Sequence, residues 1–184
     1  MRRMLKSRLH DYALICAVIT GVCIGIVLED PLTRAFRAAV TPAGAEMTTL
    51  IGPASVIDGD TLEIRGTRIR LHGIDAPESG QRCQDTDGQS WRCGQGAALA
   101  LSDRIGRAPV RCEQTDTDRY GRAIAVCYRG DEDLNAWMVR AGHAVAYRRY
   151  SSDYVGEEAL ARAGKRGLWA GTFEKPWDWR RARR

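Results

Sequence analysis

The chain has 184 residues, of which 44% are hydrophobic and 28% charged, and its formal net charge is +5 at pH 7. This composition excludes an intrinsically disordered chain, because it provides enough apolar surface for one domain with a buried core. The positive charge is concentrated at the two ends, since residues 47–179 contain 18 basic and 19 acidic side chains, a net charge of −1 (18 − 19). Overall charge therefore gives no argument for nucleic-acid binding, which must be argued from individual residues.

The first predicted element is an apolar helix over residues 12–28, which contains no charged side chain. Basic residues precede it and Glu29 and Asp30 follow it, an asymmetry typical of a membrane segment whose N-terminus lies in the cytoplasm. As a helix it would span about 25 Å, slightly less than the roughly 30 Å of a bilayer core. We therefore predict a transmembrane or signal-anchor helix within residues 1–30, single-pass in the inner (plasma) membrane, with the following domain in the periplasm or outside.

The apolar stretch has two alternatives to an anchor, a cleaved signal peptide and a buried core helix. A cleaved signal peptide would release the domain as a secreted protein, but the nearest Ala-x-Ala site, at Ala43 and Ala45, lies well beyond the apolar stretch. A buried core helix is disfavoured by the charge asymmetry. The uncleaved anchor is the preferred interpretation.

After a linker over residues 31–48, residues 49–171 are predicted to form one domain that begins with three short strands. The first covers residues 51–57 and ends in the turn Asp58-Gly59-Asp60, and two alternating strands around Leu62 and Ile69 follow, joined by a tight hairpin. Residues 79–94 form a loop by composition, because they are rich in Gly, Gln, Asp and Ser. Two further strands are predicted over residues 110–115 and 122–128.

Three helices complete the predicted domain. Ala97, Leu101 and Ile105 share one face of the first helix, which ends at Gly106. The second helix presents Leu134, Trp137, Met138 and Ala141 to the core, and the third runs from near residue 152 to before Gly167. Five short strands with an intervening helix match an α+β fold that is mainly β barrel, the five-stranded Greek-key barrel of the OB kind with three helices. Residues 172–184, rich in Trp and Arg, are predicted to be an exposed tail, with an accessory nucleic-acid or lipid contact as the alternative.

The domain contains four cysteines, Cys83, Cys93, Cys112 and Cys127. They show no spacing typical of a zinc site, and an even number in a domain outside the membrane favours disulfides. If the second hairpin turns between residues 119 and 120, Cys112 and Cys127 are equidistant from the turn and lie opposite one another, close to disulfide range. Cys83 would then pair with Cys93.

Charged residues cluster at the predicted strand ends: Asp60, Arg70, Asp75, Glu78 and Arg122. Two carboxylates with a backbone carbonyl would give the hard oxygen ligands that calcium prefers. Two guanidinium groups can bind the non-bridging oxygens of a phosphate and stabilise the charge of a five-coordinate transition state. A third carboxylate can orient or deprotonate a water molecule. Together, these residue types indicate phosphodiester hydrolysis.

Three linked motifs carry a resemblance to a known family. They are V-I-D-G-D-T-L-E-I from Val56, R-L-H-G-I-D-A-P-E from Arg70 to Glu78, and D-R-Y-G-R from Asp118 to Arg122. In order and spacing they resemble staphylococcal (micrococcal) nuclease, the thermonuclease family, over residues 51–169. The resemblance implies cleavage of the 5′-O–P bond to leave 3′-phosphates. The sequence departs from the family pattern at Arg149, where a second tyrosine is expected, although Tyr150 is adjacent.

The resemblance also implies roles for individual residues. It implies that calcium is bound by Asp60, Asp75 and the carbonyl of Ala76. It implies Glu78 as general base, with Arg70 and Arg122 on the scissile phosphate. It places Arg119, Tyr120 and Tyr147 around the substrate.

Each motif also has a plainer interpretation. The sequence Asp58-Gly59-Asp60 alone is more typical of an ordinary turn, and Asp75 before Ala76-Pro77 could be a simple strand end. Only their combination with Arg70, Glu78 and Arg122 favours a site. His72 and His143 are interpreted as structural, and Trp137 and Met138 as core residues.

The sequence therefore predicts a calcium-dependent endonuclease acting on DNA and RNA, preferentially single-stranded. It is expected to be a monomer attached to the membrane by its N-terminal helix, without a protein partner. One rival is a non-catalytic OB-type module that binds single strands at the membrane. The other is a structural or interaction domain of a membrane complex.

Overall fold

The structure is a computed structural model, and it describes residues 48–183. These residues form an α+β fold with a mixed sheet and several helices. The strands are β1 (Thr49–Gly52), β2 (Ala54–Asp58), β3 (Thr61–Ile64), β4 (Thr67–Leu71), β5 (Ile74–Asp75), β6 (Cys83–Gln84), β7 (Ser90–Trp91), β8 (Val110–Thr117), β9 (Ala123–Arg129), β10 (Glu132–Asp133) and β11 (Val145–Ala146). The helices are α1 (Cys93–Ile105), α2 (Leu134–Arg140), α3 (Val155–Ala163) and α4 (Pro176–Arg181), with a 3-10 turn at Gly167–Ala170.

The main sheet has the strand order β1-β8-β9-β4-β3-β2, and β10 also pairs with β9. β4 and β9 are parallel, whereas the other pairs along this path are antiparallel. β1 and β2 occupy opposite ends of the path although only Pro53 separates them, so the sheet curls back on itself, consistent with an OB-like barrel. The sequence predicts a single strand over residues 51–57, whereas the structure divides it at Pro53, because proline has no N–H for the strand ladder.

The core lies between the curled sheet and helices α1 and α2. The alternating apolar residues of β3 and β4 are fully buried or nearly so, namely Leu62, Ile64, Ile69 and Leu71. The predicted face of α1 is confirmed, because Ala97, Leu101 and Ile105 are all buried. Met138 of α2 is buried, and Trp137 packs against the same core. These contacts hold the strand ends that carry the charged residues.

Both predicted disulfides are present, Cys83–Cys93 and Cys112–Cys127. Cys112 and Cys127 lie directly opposite each other on β8 and β9. The turn differs in detail from the prediction, because the register shifts by one between Gln114 and Asp116 and the Asp118 amide donates to the Arg122 carbonyl. The turn therefore centres on Tyr120, and the bulge restores the register at the cysteines.

The segment after residue 171 is packed against the domain, and the prediction of an exposed tail is wrong. Pro176 begins α4 and is buried, and Trp177 is half-buried. Trp177 stacks on Tyr147, with ring centroids 5.2 Å apart and an interplanar angle of 3°. Burial of these apolar groups gives the short helix a fixed position that its length alone would not provide.

The predicted apolar helix over residues 12–28 lies outside the described residues. Among residues 48–183, the structure has no helix that is long and apolar enough to cross a membrane.

Candidate active site

The floor of the site begins at the turn between β2 and β3. The Asp60 side chain is buried, and its Oδ2 atom accepts a hydrogen bond of 2.9 Å from the Ala76 amide. Gly59 permits this close approach, because a Cβ atom there would meet the Cβ atoms of Ala76 and Ala97 at 2.7 and 2.8 Å. The turn Asp58-Gly59-Asp60, which by sequence alone could be an ordinary turn, is therefore packed directly against Ala76, just after β5.

Arg70 joins the two buried acids of the site. It projects from β4, where its Nη1 donates to Asp60 Oδ1 (2.8 Å) and its Nη2 donates to Asp75 Oδ1 (2.6 Å). Burial raises the pKa of Asp60 to about 8 and also raises the pKa of Asp75, whereas Arg70 favours the charged form of both. The two carboxylates thus lie in a desolvated position that requires positive charge nearby.

Glu78 lies in the turn that follows β5, at the edge of the cleft, and its side chain is 34% exposed. The Gln81 amide donates to the Glu78 carbonyl (2.7 Å), and the Glu78 amide donates to Gln81 Oε1 (3.3 Å). The start of α1 presses on this turn, because a Cβ atom at Gly94 would lie 1.7 Å from the Glu78 carbonyl oxygen. The backbone that carries Glu78 is therefore held on both sides.

Arg122 approaches the same cleft from the turn between β8 and β9. Its Nε donates to Asp118 Oδ2 (2.7 Å), and Asp118 Oδ1 accepts from the Tyr120 and Arg122 amides. Because Arg70 is paired with Ile124 across the parallel strands, Arg122 comes two residues before the position opposite Arg70. Arg70, Glu78 and Arg122 all line one open cleft.

The predicted substrate residues also lie along this cleft. Arg119 and Tyr120 are next to each other on the exposed turn, where Arg119 Nη2 donates to the Tyr120 hydroxyl (2.6 Å). Tyr147 follows β11, and its amide donates to the Gly73 carbonyl (2.8 Å). Tyr150 meets the Tyr147 ring edge-on at 4.8 Å and is 67% exposed. The structure thus brings the predicted catalytic and substrate residues together around a single cleft, whereas the predicted calcium ligands Asp60, Asp75 and Ala76 are not part of its lining.

The residues predicted to bind calcium, Asp60, Asp75 and Ala76, lie close together, and arginines donate hydrogen bonds to both carboxylates. Asp60 and Asp75 are linked through Arg70, and the Ala76 amide is bonded to Asp60. Carboxylate and carbonyl oxygens are the ligands that calcium prefers. The part of the chain that the structure describes has no cluster of three or more His, Cys, Asp or Glu side chains that could hold a metal ion. The predicted set has only two such side chains, and its role stays a prediction.

Three residues at the site are not among the predicted site residues, namely Gln81, Trp177 and Arg180, although an accessory nucleic-acid or lipid contact is the alternative for the tail that carries the last two. Arg180 Nη1 donates to Glu78 Oε1 (2.7 Å) and to Asp75 Oδ1 (3.0 Å), and Arg180 Nη2 donates to Asp75 Oδ2 (2.8 Å). One signal could have located α4: a proline at the first position of a helix, with Trp177 and Arg180 three residues apart on one face. That signal identifies a helix but not the site it contacts.

Comparison with known proteins identifies the family. The sequence model described as Staphylococcal nuclease homologue matches residues 68–171. The chain belongs to the staphylococcal nuclease family. It is therefore a nuclease, a hydrolase that acts on phosphodiester bonds.

Several relatives share most of their length with this nuclease. Succinoglycan biosynthesis protein ExoI of Rhizobium meliloti is 42% identical over 149 residues, which cover 79% of this chain and 74% of the relative. The micrococcal nuclease of Shigella flexneri is 34% identical over 172 residues, covering 81% of this chain and 92% of the relative. An uncharacterized endonuclease of Haemophilus influenzae is 36% identical over 134 residues, covering 68% of this chain and 70% of the relative. The family match ends before α4, so Arg180 lies outside it.

Proposed function

We propose that this nuclease is a calcium-dependent endonuclease that hydrolyses single-stranded DNA and RNA outside the cytoplasm. The observation that carries the proposal is the convergence of Arg70, Glu78 and Arg122 on one cleft. The presence of the Glu78 carboxylate beside Arg70 and Arg122 favours hydrolysis over binding alone. A carboxylate that faces a phosphate would weaken binding by charge repulsion.

Glu78 is the proposed general base. Within residues 48–183, Arg180 donates a hydrogen bond to Glu78 Oε1, and Oε2 is the oxygen proposed to accept a proton from water. The water oxygen would then bond to phosphorus as the P–O5′ bond breaks, leaving a 3′-phosphate and a 5′-hydroxyl that takes its proton from solvent. Arg70 and Arg122 would donate to the non-bridging oxygens and stabilise the charge of the transition state.

Asp60, Asp75 and the Ala76 carbonyl are the proposed calcium ligands. When bound, the ion would supply positive charge to a non-bridging phosphate oxygen. The support for this assignment is the hard-oxygen chemistry of the three groups and the burial of both carboxylates.

A single-stranded polymer is the proposed substrate. The cleft is open and has a volume of about 1270 Å³, above the ~300–1,000 Å³ typical of small-molecule pockets. Its walls combine basic side chains with the rings of Tyr120, Tyr147 and Trp177, and such rings stack on bases only when the bases are unpaired. Contacts to phosphates and base faces are shared by DNA and RNA, which supports activity on both.

Location outside the cytoplasm is proposed from two independent features. The charge pattern around residues 12–28 predicts an anchor with the domain on the outer side. The Cys83–Cys93 and Cys112–Cys127 disulfides are typical of an oxidising compartment.

Replacement of the base tests the proposal. The full chain and its Glu78→Gln variant are compared on single-stranded DNA at saturating calcium, and again with chelator. Removing a general base is expected to lower kcat by about two to four orders of magnitude, and chelator should abolish cleavage by the wild type.

Glu157→Gln, on α3, is the matched control and should keep wild-type turnover. Equal rates for the wild type and Glu78→Gln would show that Glu78 is not the base. If the wild type binds the strand without cleaving it, the single-strand binding module takes the place of this proposal.

A further inference from the structure

We propose that Arg180 is a positioning residue of the active site, and that the C-terminal segment over residues 172–183 completes that site by holding Glu78. The inference rests on the proposed role of Glu78 as general base. It assigns a function to a part of the chain beyond the family match, which ends at residue 171.

The guanidinium of Arg180 contacts two acids of the site at once. Its two terminal nitrogens form a fork on the Asp75 carboxylate (3.0 and 2.8 Å), and one of them also reaches Glu78 Oε1 (2.7 Å). A planar fork of this kind fixes orientation as well as distance. Arg180 therefore holds the Glu78 carboxylate against the buried floor of the site.

Charge compensation gives an independent reason for Arg180. The Asp75 side chain is fully buried, and Arg70 is shared between Asp75 and Asp60. Without Arg180 or the proposed calcium ion, one guanidinium would serve two buried carboxylates, and a buried charge without a full partner is strongly unfavourable. Arg180 thus supplies positive charge to the Asp75 side of the floor of the site.

The C-terminal segment is fixed to the same turn that carries Glu78. The buried side chain of Gln81 accepts from the Glu78 amide (3.3 Å) and donates to the Glu174 carbonyl (2.7 Å). Farther along, the Gln84 and Thr172 backbones exchange two hydrogen bonds of 2.9 and 3.1 Å. Gln81 therefore links the backbone of Glu78 to the C-terminal segment that carries Arg180.

The position of α4 is also fixed by its apolar groups. Pro176 is buried, and Trp177 lies flat against Tyr147. Together with the Gln81 bridge, these contacts make α4 a built-in part of the cleft. The opposite interpretation, in which the Arg180 side chain occludes Glu78, would require only the hydrogen bonds of Arg180 to Asp75 and Glu78 to break, so activity measurements must distinguish the two.

Kinetics of Arg180 variants separate the two interpretations. In the full chain, Arg180→Ala should lower kcat on single-stranded DNA by about 100-fold, the order expected when a reacting group is misplaced, with little change in KM. Arg180→Lys should recover part of this loss, because it keeps the charge but not the fork. Arg107→Ala is the matched control and should behave as the wild type, since Arg107 is an exposed arginine in the turn after α1 and lies outside the cleft lining.

A double variant tests whether Arg180 acts through Glu78. In the Glu78→Gln background, Arg180→Ala should cause a much smaller further loss of kcat than in the wild type, because the group it positions is already absent. Wild-type turnover in Arg180→Ala and Arg180→Lys, a faster Arg180→Ala enzyme, or fully additive losses would overturn the proposal. A faster enzyme would establish that Arg180 occludes Glu78 instead.

Thermal unfolding provides a test that does not depend on activity. The shift in melting temperature of the Arg180→Ala, Glu78→Gln double variant should be smaller than the sum of the two single shifts, since both remove one contact. Additive shifts in melting temperature would show that Arg180 and Glu78 do not interact. If the wild type cleaves no nucleic acid, the proposed function fails, while this measurement still decides the Arg180 contact. If Arg180→Ala does not fold, Arg180→Lys is used in both measurements.

Discussion

At the scale of single residues, the two arginines assigned to the phosphate have different surroundings. Arg70 is 19% exposed and bridges the buried acids Asp60 and Asp75. Arg122 is 29% exposed and pairs with Asp118 in a surface turn. The same guanidinium chemistry therefore has a structural role at Arg70 that it lacks at Arg122.

This difference predicts that alanine substitution separates stability from catalysis. Arg70→Ala should lower the free energy of unfolding by about 3–5 kcal/mol, because it leaves the buried Asp60 without its guanidinium partner and Asp75 with Arg180 alone. Arg122→Ala should lower it by less than about 1 kcal/mol, as for other partly exposed ion pairs. Both should depress kcat. Urea denaturation followed by circular dichroism measures the stabilities, and equal losses in the two variants would contradict the assignment.

At the scale of elements, the turn after β5 is the point where three parts of the fold meet. The start of α1 presses on the Glu78 carbonyl at Gly94, and Gln81 bridges from this turn to the segment before α4. The Cys83–Cys93 disulfide closes the same loop onto α1. Glu78 thus depends for its position on elements that are distant in sequence.

The Gln81 bridge predicts coupled losses of stability and turnover. Gln81→Ala removes the partners of the Glu78 amide and the Glu174 carbonyl, and should lower the free energy of unfolding by about 1–3 kcal/mol. It should also lower kcat, because Glu78 and α4 lose their common support. Gln95→Ala, an exposed glutamine on α1, is the control and should change stability by less than about 0.5 kcal/mol. Unchanged stability and turnover in Gln81→Ala would show that the hydrogen bonds of Gln81 do not support Glu78 or α4.

At the scale of the whole molecule, the proposed location outside the cytoplasm rests on the N-terminal charge pattern and on the disulfides of the domain. The predicted anchor over residues 12–28 would place the domain on the outer face of the membrane. Both disulfides lie within residues 83–127, inside the folded domain. Both features support the proposed location outside the cytoplasm.

The predicted topology can be tested in cells. Protease added to intact spheroplasts should degrade the nuclease domain, because the domain is expected to lie outside the inner membrane. A cytoplasmic marker protein should survive the same treatment and be digested only after lysis. A nuclease domain that is protected until lysis would contradict the outward placement.

The sequence by itself determined the features that depend on short-range order. The alternation around Leu62 and Ile69 predicted the buried faces of β3 and β4, and the spacing of Cys112 and Cys127 predicted their disulfide. The three motifs located Arg70, Glu78 and Arg122. Backbone periodicity and motif spacing carry such information because neighbouring residues are constrained by the same local geometry.

Only the tertiary structure decided which residues complete the site. Arg180 reaches Glu78 across 102 positions and Asp75 across 105, and Gln81 reaches Glu174 across 93. No local pattern records such contacts, and a cluster of terminal arginines is typical of a solvated tail until a buried partner is known. Folding buries Asp75 completely. A buried carboxylate is tolerated only where packing brings a positive charge to it, and here the fold brings Arg180.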